Sequence, residues 1–273
     1  MSLDPKSFIH PQDAKALKAL EKIPGLKTLL AAYMKVYDER NWRGFLMSSC
    51  IRLNERQLPD LYALFSDVFH TLGMEDGALP ECYLQMDPNP NAYTVGNTNT
   101  CIVLHSGIVD LLSREELKAV IAHECGHILC KHMLYHTLAR NIAQFGVNFL
   151  GLEILVKPVI WALLYWDRCS EFSADRVGAY TVGSGKVVSD TMIRLSGGPI
   201  SITGAVDVEE YYRQVEELHK WISDDKYQAL LHFQMNLYNN HPFCAIRSKE
   251  IRDWYDDPAT ILPARNASNG LSF

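Results

Sequence analysis

The feature that most constrains this chain is an HExxH pattern, His123-Glu124-Cys125-Gly126-His127, within a stretch predicted to be helical. Residues four apart on an α-helix lie on one face about one turn apart. Both imidazoles can therefore reach a single zinc ion at Zn–N distances of about 2.0–2.1 Å. Glu124 lies beside that position, where a carboxylate can take a proton from a bound water. The alternative is two surface histidines that flank a glutamate by chance.

The surrounding sequence favours a helix around this pattern. Ser113 and Glu116 have the spacing of a capping box, in which the serine caps the backbone N–H three residues on and the glutamate reaches back. Apolar residues then recur at roughly helical spacing, at Leu117, Val120, Ile121, Ile128, Leu129 and Leu134. The sequence thus predicts a helix of several turns that carries both histidines.

A second predicted helix offers a third ligand. Catalytic zinc takes three protein ligands and keeps a fourth position open for water. Glu171 can be the third ligand, while Asp175, one turn on, accepts a hydrogen bond from the second nitrogen of a ligand histidine. Small residues let this helix approach the first one closely, at Ser173, Ala174, Gly178 and Ala179. The alternative is a solvated acidic face paired with Arg168 and Arg176.

Four motifs in order resemble one enzyme family. They are HExxH at 123–127, ExxxD at 171–175, Asn-Ala-aromatic at 91–93, and Asn-His-Pro at 240–242 followed by Arg247. Together they resemble the gluzincin-type zinc metallopeptidases of the HtpX-like and CAAX prenyl protease group, over roughly residues 50–255. The resemblance implies a zincin-like fold with a small sheet packed beside the active-site helix. It also implies one zinc ion per chain, bound by His123, His127 and Glu171.

The resemblance further implies which residues act on the substrate. Glu124 would be the general base and would then protonate the leaving amine. Asn91 and His241 would lie near the substrate backbone or the developing oxyanion, where a hydrogen-bond donor stabilises the transition state. Asn91 also fits an ordinary turn in a Pro- and Asn-rich loop, and His241 also fits an ordinary His-Pro loop.

A strand-like segment at 100–105 precedes the active-site helix. In enzymes of this kind an edge strand pairs its main chain with an extended peptide. That surface would comprise Ile102, Val103 and Leu104. The alternative is an ordinary internal strand.

Other potential ligands are predicted to have structural roles. His132 and His136 repeat the four-residue spacing, but no glutamate follows His132. An unbroken helix would rotate His132 about 140° from His127 and away from the metal. We therefore expect both histidines to be surface or packing residues, and Cys125 to pack as a small hydrophobe.

Composition limits the compartment and the partners. Seven cysteines without paired spacing argue against a secreted disulfide framework and favour a reducing, cytoplasmic location. The net charge of -6, without long basic runs, argues against nucleic acid as a partner.

Residues 141–166 are apolar and partly aromatic, but Glu153, Lys157 and Pro158 interrupt them. No stretch reaches the ~20 apolar residues that cross a bilayer. A buried helical hairpin fits better, and an interfacial helix with peripheral membrane contact is the alternative.

The chain is predicted to be α+β and helix-dominated. Residues 1–50 form an N-terminal helical extension, 51–257 the catalytic domain and 258–273 a flexible tail. Within the domain we expect a helix over 52–72 and a mobile, loop-rich connector over 183–204.

The sequence therefore predicts a zinc-dependent metalloendopeptidase that cleaves extended or unfolded polypeptide. The alternative is a latent or non-catalytic zinc-binding interaction module on the same fold. An intact Glu124 argues against that alternative, because a purely structural zinc site needs no base.

Overall fold

The computed structural model describes residues 3–74, 79–145, 157–224 and 244–261, and the protein is helix-dominated. In chain order its helices are α1 (Pro11–Leu20), α2 (Leu26–Val36), α3 (Glu39–Ser49), α4 (Pro59–Thr71), α5 (Ser106–Leu111), α6 (Arg114–Leu129), α7 (Met133–Phe145), α8 (Lys157–Val182), α9 (Gly185–Gly197), α10 (Ile200–Thr203), α11 (Val208–Asp224) and α12 (Cys244–Asp256). Its strands are β1 (Ile51–Arg52), β2 (Glu81–Gln85), β3 (Ala92–Val95) and β4 (Cys101–His105). The predicted helix-dominated α+β fold is confirmed.

The four strands form one small mixed sheet in the order β1-β2-β4-β3. β2 runs parallel to β4, whereas β1 and β3 pair antiparallel with β2 and β4 respectively. The prediction that Ile102, Val103 and Leu104 form an edge is therefore wrong, because β4 has a partner on each side. Their continuous apolar run instead reflects burial on both faces of the sheet. The edges of this sheet are β1 and β3.

Helices α6 and α8 pack directly against each other at the centre of the protein. Two glycines allow the close approach. A Cβ on Gly126 would lie 3.0 Å from Ala174 Cα, and one on Gly178 would lie 3.1 Å from Ala119 O. The sequence prediction that small residues bring these helices together is confirmed.

The N-terminal helices form a second apolar cluster with α7 and the first half of α8. Its fully buried members include Leu20, Leu29, Leu138 and Leu163. The described part of segment 141–166 contributes to this cluster, but Trp161 and Tyr165 on α8 are each 49% exposed. Within the described ranges, every helix is too short or too polar to span a bilayer.

Two predictions about individual segments are wrong. Arg52 pairs in β1, and α4 begins only at Pro59 because Asn54 accepts backbone hydrogen bonds from Arg56 and Gln57 in a turn. The 183–204 segment contains α9 and α10 rather than a loop-rich connector. Gly185 serves packing there, since a Cβ at this position would lie 2.7 Å from Tyr255 Cβ.

Candidate metal centre

The helix that carries HExxH begins as its sequence predicts. Ser113 N–H donates to Glu116 Oε2 over 2.8 Å, and Glu116 N–H donates to Ser113 Oγ over 3.4 Å. This confirms the capping box and fixes where α6 begins. Ten residues later the helix presents His123 and His127 on the face that packs against α8.

Three predicted ligand atoms converge between α6 and α8. His123 Nε2 and His127 Nε2 are 3.2 Å apart. Glu171 Oε2 lies 3.6 Å from His123 Nε2, and Glu171 Oε1 lies 3.4 Å from His127 Nε2. Donor atoms around a tetrahedral zinc, each about 2.0–2.1 Å from the ion, lie about 3.3–3.4 Å from one another. The separations and the nitrogen and oxygen donors therefore fit a zinc ion.

Asp175 occupies the supporting position predicted for it. Its Oδ1 lies 2.9 Å from His123 Nδ1, which leaves His123 Nε2 directed at Glu171. Arg247 on α12 donates from Nε to Asp175 Oδ2 and from Nη2 to Asp175 Oδ1, both over 2.7 Å, and its Nη1 lies 2.8 Å from Glu171 Oε2. Arg247 thus holds both carboxylates of the ExxxD pair, a contact that the sequence analysis did not predict.

The electrostatics of the site favour positive charge. Burial alone would lower the pKa of His123, but hydrogen bonds to Asp175 and Glu171 and their charges raise that pKa to about 10. Burial alone would raise the pKa of Asp175, but the Arg247 guanidinium keeps it below its usual value. Burial lowers the pKa of His127. The carboxylates of α8 thus stabilise a cation at the point where the two imidazoles meet.

Glu124 lies next to His123 on α6 and contacts the edge strand β3. Its Oε2 accepts a hydrogen bond from Thr94 Oγ1 over 2.7 Å, and both side chains are buried. Thr94 therefore fixes the carboxylate rotamer next to the ligand histidines. Thr94 was not among the residues predicted from the sequence, although the Asn-Ala-aromatic motif lies immediately before it.

A small pocket opens beside His123 and Glu124. Its walls are largely aliphatic, with Ile108, Val120, Val188, Met192 and Leu195 among the lining residues. Ala92 of β3 also lines it, so the pocket connects the edge strand to the candidate metal centre.

His132 does not lie on an unbroken continuation of helix α6, although it still packs on the side of His127 that faces away from the three ligand atoms. Helix α6 ends at Leu129, and Lys131 adopts a left-handed conformation with φ of 61°. The backbone therefore departs from the helical path, and His132 Nδ1 lies 3.1 Å from His127 Nδ1. His136 also packs nearby, with its ring centroid 4.2 Å from that of His127. Both histidines are packing residues rather than surface residues, which is one of the two roles predicted for them.

The remaining predicted residues are placed as follows. Asn91 precedes β3, and its carbonyl accepts a hydrogen bond from His105 N–H over 2.9 Å. His241 lies outside the described residues. All seven cysteines are free, and Cys125 is buried with its pKa raised by burial, as expected of a packing residue.

The comparisons with known proteins identify the family of this chain. The model of Peptidase family M48 matches residues 55–255. The chain belongs to peptidase family M48. The predicted resemblance to HtpX-like metallopeptidases is thereby confirmed, and the chain is a metalloprotease by family.

Two relatives describe the extent of the similarity. The chain is similar to the plastoglobule-localized metallopeptidase 48, chloroplastic, of Arabidopsis thaliana, with 29% identity over 92% of this chain and 73% of the relative. It is also similar to a protease HtpX homolog of Gemmatimonas aurantiaca, with 27% identity over 51% of this chain and 58% of the relative. No solved structure shows a significant match to this chain.

Proposed function

We propose that this M48 protein is a zinc-dependent metalloendopeptidase that cleaves extended or unfolded polypeptide. The observation that carries the proposal is the convergence of His123 Nε2, His127 Nε2 and the Glu171 carboxylate within 3.2–3.6 Å of one another. The matching spacing of a tetrahedral zinc supports zinc as the ion, one per chain. Bound zinc would lower the pKa of water and polarise the scissile carbonyl.

We assign proton transfer to Glu124. Glu124 follows His123 directly on α6, its carboxylate is held by Thr94, and it lines the same pocket as His123. In this role the carboxylate removes a proton from the attacking water and delivers it to the leaving amine. Glu124 is not one of the three proposed ligands and does not cap a helix end, so proton transfer gives this buried carboxylate a role.

The proposed substrate is an extended segment with an aliphatic side chain next to the scissile bond. The largely aliphatic pocket beside His123 and Glu124 supports this preference. β3 is an edge strand of the sheet and touches Glu124 through Thr94. Edge strands carry unpaired main-chain groups that can pair with a peptide regardless of its sequence. Asn91, at the start of this strand, and His241 stay proposed substrate contacts.

One observation favours the second function, a latent or non-catalytic zinc-binding module. The four central side chains are all at least nine-tenths buried, with 7% of His123, 3% of Glu124, 4% of His127 and 6% of Glu171 exposed. A polypeptide must reach these groups before it can be cleaved. In this alternative the protein binds zinc but does not turn over substrate.

Cleavage of reduced, unfolded casein by the zinc-analysed protein tests both functions. Glu124→Gln should retain zinc and lose cleavage, because the amide keeps the shape of the carboxylate but cannot accept the proton. Glu115→Gln is the matched control, since Glu115 is exposed on the same helix. Zinc binding without cleavage by the unmodified protein would favour the latent module. Cleavage retained by Glu124→Gln would remove Glu124 from the mechanism.

We further propose a cytoplasmic protein with peripheral membrane contact through segment 141–166. The half-exposed Trp161 and Tyr165 support this contact, because such side chains favour the bilayer interface. Sedimentation with phospholipid vesicles should be reduced by replacing both residues with serine. If the variant sediments with vesicles as much as wild type does, Trp161 and Tyr165 do not mediate membrane contact.

The absence of nucleic-acid binding also stays a prediction.

A further inference from the structure

A buried polar chain links the N-terminal helix α1 to the metal ligand His127. Asp13 on α1 and His132 after α6 are 1% and 2% exposed, respectively. His132 Nε2 lies 3.1 Å from Asp13 Oδ2, and His132 Nδ1 lies 3.1 Å from His127 Nδ1. The imidazole of His132 thus lies between the Asp13 carboxylate and the metal ligand His127.

Asp13 is held as a hydrogen-bond acceptor. Trp166 Nε1 donates to its Oδ1 over 2.8 Å, and Ser173 Oγ donates to its Oδ2 over 2.6 Å. Both donors lie on α8, and Ser173 stands between the two acidic residues of the ExxxD pair. Burial alone would raise the pKa of Asp13, but hydrogen bonds from His132 and these donors keep it below its usual value.

The acceptor character of Asp13 fixes the tautomers of both histidines. A carboxylate next to His132 Nε2 favours the tautomer that carries its proton there, so His132 Nδ1 keeps a lone pair. That lone pair accepts the Nδ1 proton of His127, and His127 Nε2 is left with the lone pair that a metal requires. Asp175 beside His123 Nδ1 likewise leaves the Nε2 of His123 directed at the metal position.

A second metal bound by His127, His132 and His136 is the competing interpretation of this cluster, because their ring nitrogens also lie close together. A neutral imidazole has only one lone pair. His127 Nε2 already faces Glu171 at 3.4 Å, so the same neutral ring cannot also bind an ion through Nδ1. A relay from Asp13 through His132 to His127 uses each of these ring nitrogens once.

We propose that Asp13 and His132 are positioning residues that set the tautomer and orientation of the metal ligand His127. The N-terminal helix is then part of the metal site, although α1 contributes no ligand. This inference rests on the proposed zinc site and adds an element that lies outside the region matched by the family model.

The test is the zinc dissociation constant of the folded protein, measured by competition with a chelator. Asp13→Asn keeps the side-chain shape but replaces the carboxylate by a neutral amide with a single acceptor oxygen, and His132→Leu removes the acceptor for His127. Each should weaken zinc binding about 10–100-fold, the usual effect of losing such a partner. His132→Asn places an oxygen near the position of Nδ1 and should recover most of the affinity.

A matched control separates this effect from general destabilisation. Tyr33→Phe removes a buried hydrogen bond from Asn141 Nδ2, 2.8 Å long, which also joins the N-terminal helices to α7 but does not reach a ligand. It should leave zinc affinity and the visible spectrum of the cobalt-substituted protein unchanged, whereas His132→Leu should shift that spectrum.

Circular dichroism first establishes that each variant is folded, and the isosteric Asp13→Asn decides the matter if His132→Leu does not fold. Wild-type affinity and an unchanged cobalt spectrum in Asp13→Asn would overturn the relay while leaving the peptidase proposal intact. Failure of the unmodified protein to bind zinc at all would overturn both proposals.

Discussion

A single methyl group added at Gly126 should separate the two helices that carry the metal ligands. The Cβ of Gly126→Ala would lie 3.0 Å from both Ala174 Cα and Val177 Cβ, and 3.3 Å from Ala174 O. Carbon atoms in contact prefer about 3.5–4.0 Å. Helices α6 and α8 must therefore move apart by roughly 0.5–1 Å to accept alanine.

The expected change in stability follows from two opposing effects. Overpacking a tight core contact costs about 1–3 kcal/mol. Alanine is favoured over glycine within a helix by about 1 kcal/mol. Gly44→Ala in α3 is the matched control, because Gly44 has no atom within 4 Å of its added Cβ and gains only the helical preference. The two variants should thus differ in unfolding free energy by about 1–3 kcal/mol.

The same displacement should weaken the metal site. Glu171 lies one turn before Ala174, so moving α8 lengthens the 3.4–3.6 Å separations from Glu171 to the ligand histidines. Metal–ligand distances in well-formed sites lie within about 0.2 Å of their standard values, so longer separations should weaken zinc binding. Urea denaturation of the metal-free proteins and chelator competition for zinc measure the two effects. If Gly126→Ala is as stable as Gly44→Ala and binds zinc as tightly as wild type, helices α6 and α8 are not held apart by the added methyl group. That result would refute the close packing proposed at Gly126.

Three other perturbations have defined outcomes. Thr94→Val removes the hydrogen bond to Glu124 without changing side-chain size, so casein cleavage should slow about tenfold at unchanged zinc content; an unaltered rate would mean that Thr94 does not orient the base. Arg247→Met leaves two buried carboxylates without their guanidinium partner, and we expect a loss of about 3–5 kcal/mol in urea denaturation. Arg247→Lys should lose less, and equal losses would contradict a charge-based role. Burial and a neighbouring arginine lower the pKa of His10 to about 4 from 6.5. As the pH drops from 6.5 towards 4, the unfolded chain therefore takes up this proton before the folded protein does, and stability falls. Between pH 7 and 5.5, wild type should lose about 1 kcal/mol more than His10→Asn, which keeps a side-chain acceptor for the helix cap; parallel losses would mean that His10 is not the titrating group.

Local sequence patterns predicted the parts of the site that depend on a single helix. The capping box at Ser113 fixes where α6 begins, and the four-residue spacing then places His123 and His127 on one face. The ExxxD spacing placed Glu171 and Asp175 in the same way on α8. Such features depend on helical periodicity, which can be read from adjacent residues.

The remaining features depend on contacts between distant segments. The order of strands places β4 inside the sheet, and no periodicity within residues 101–105 distinguishes an internal strand from an edge strand. The orientation of His132 depends on the left-handed Lys131, a conformation that few non-glycine residues adopt. Arg247 meets the ExxxD pair only because α12 packs against α8 and α9.

Zinc K-edge X-ray absorption of the dialysed wild-type protein is the most direct test of the central claim. We expect one retained zinc per chain with only nitrogen and oxygen neighbours at about 2.0–2.2 Å, two of them imidazoles. Sulfur neighbours at about 2.3 Å would place the ion on cysteines instead. That result, or a protein that retains no zinc, would contradict a metal centre built from His123, His127 and Glu171.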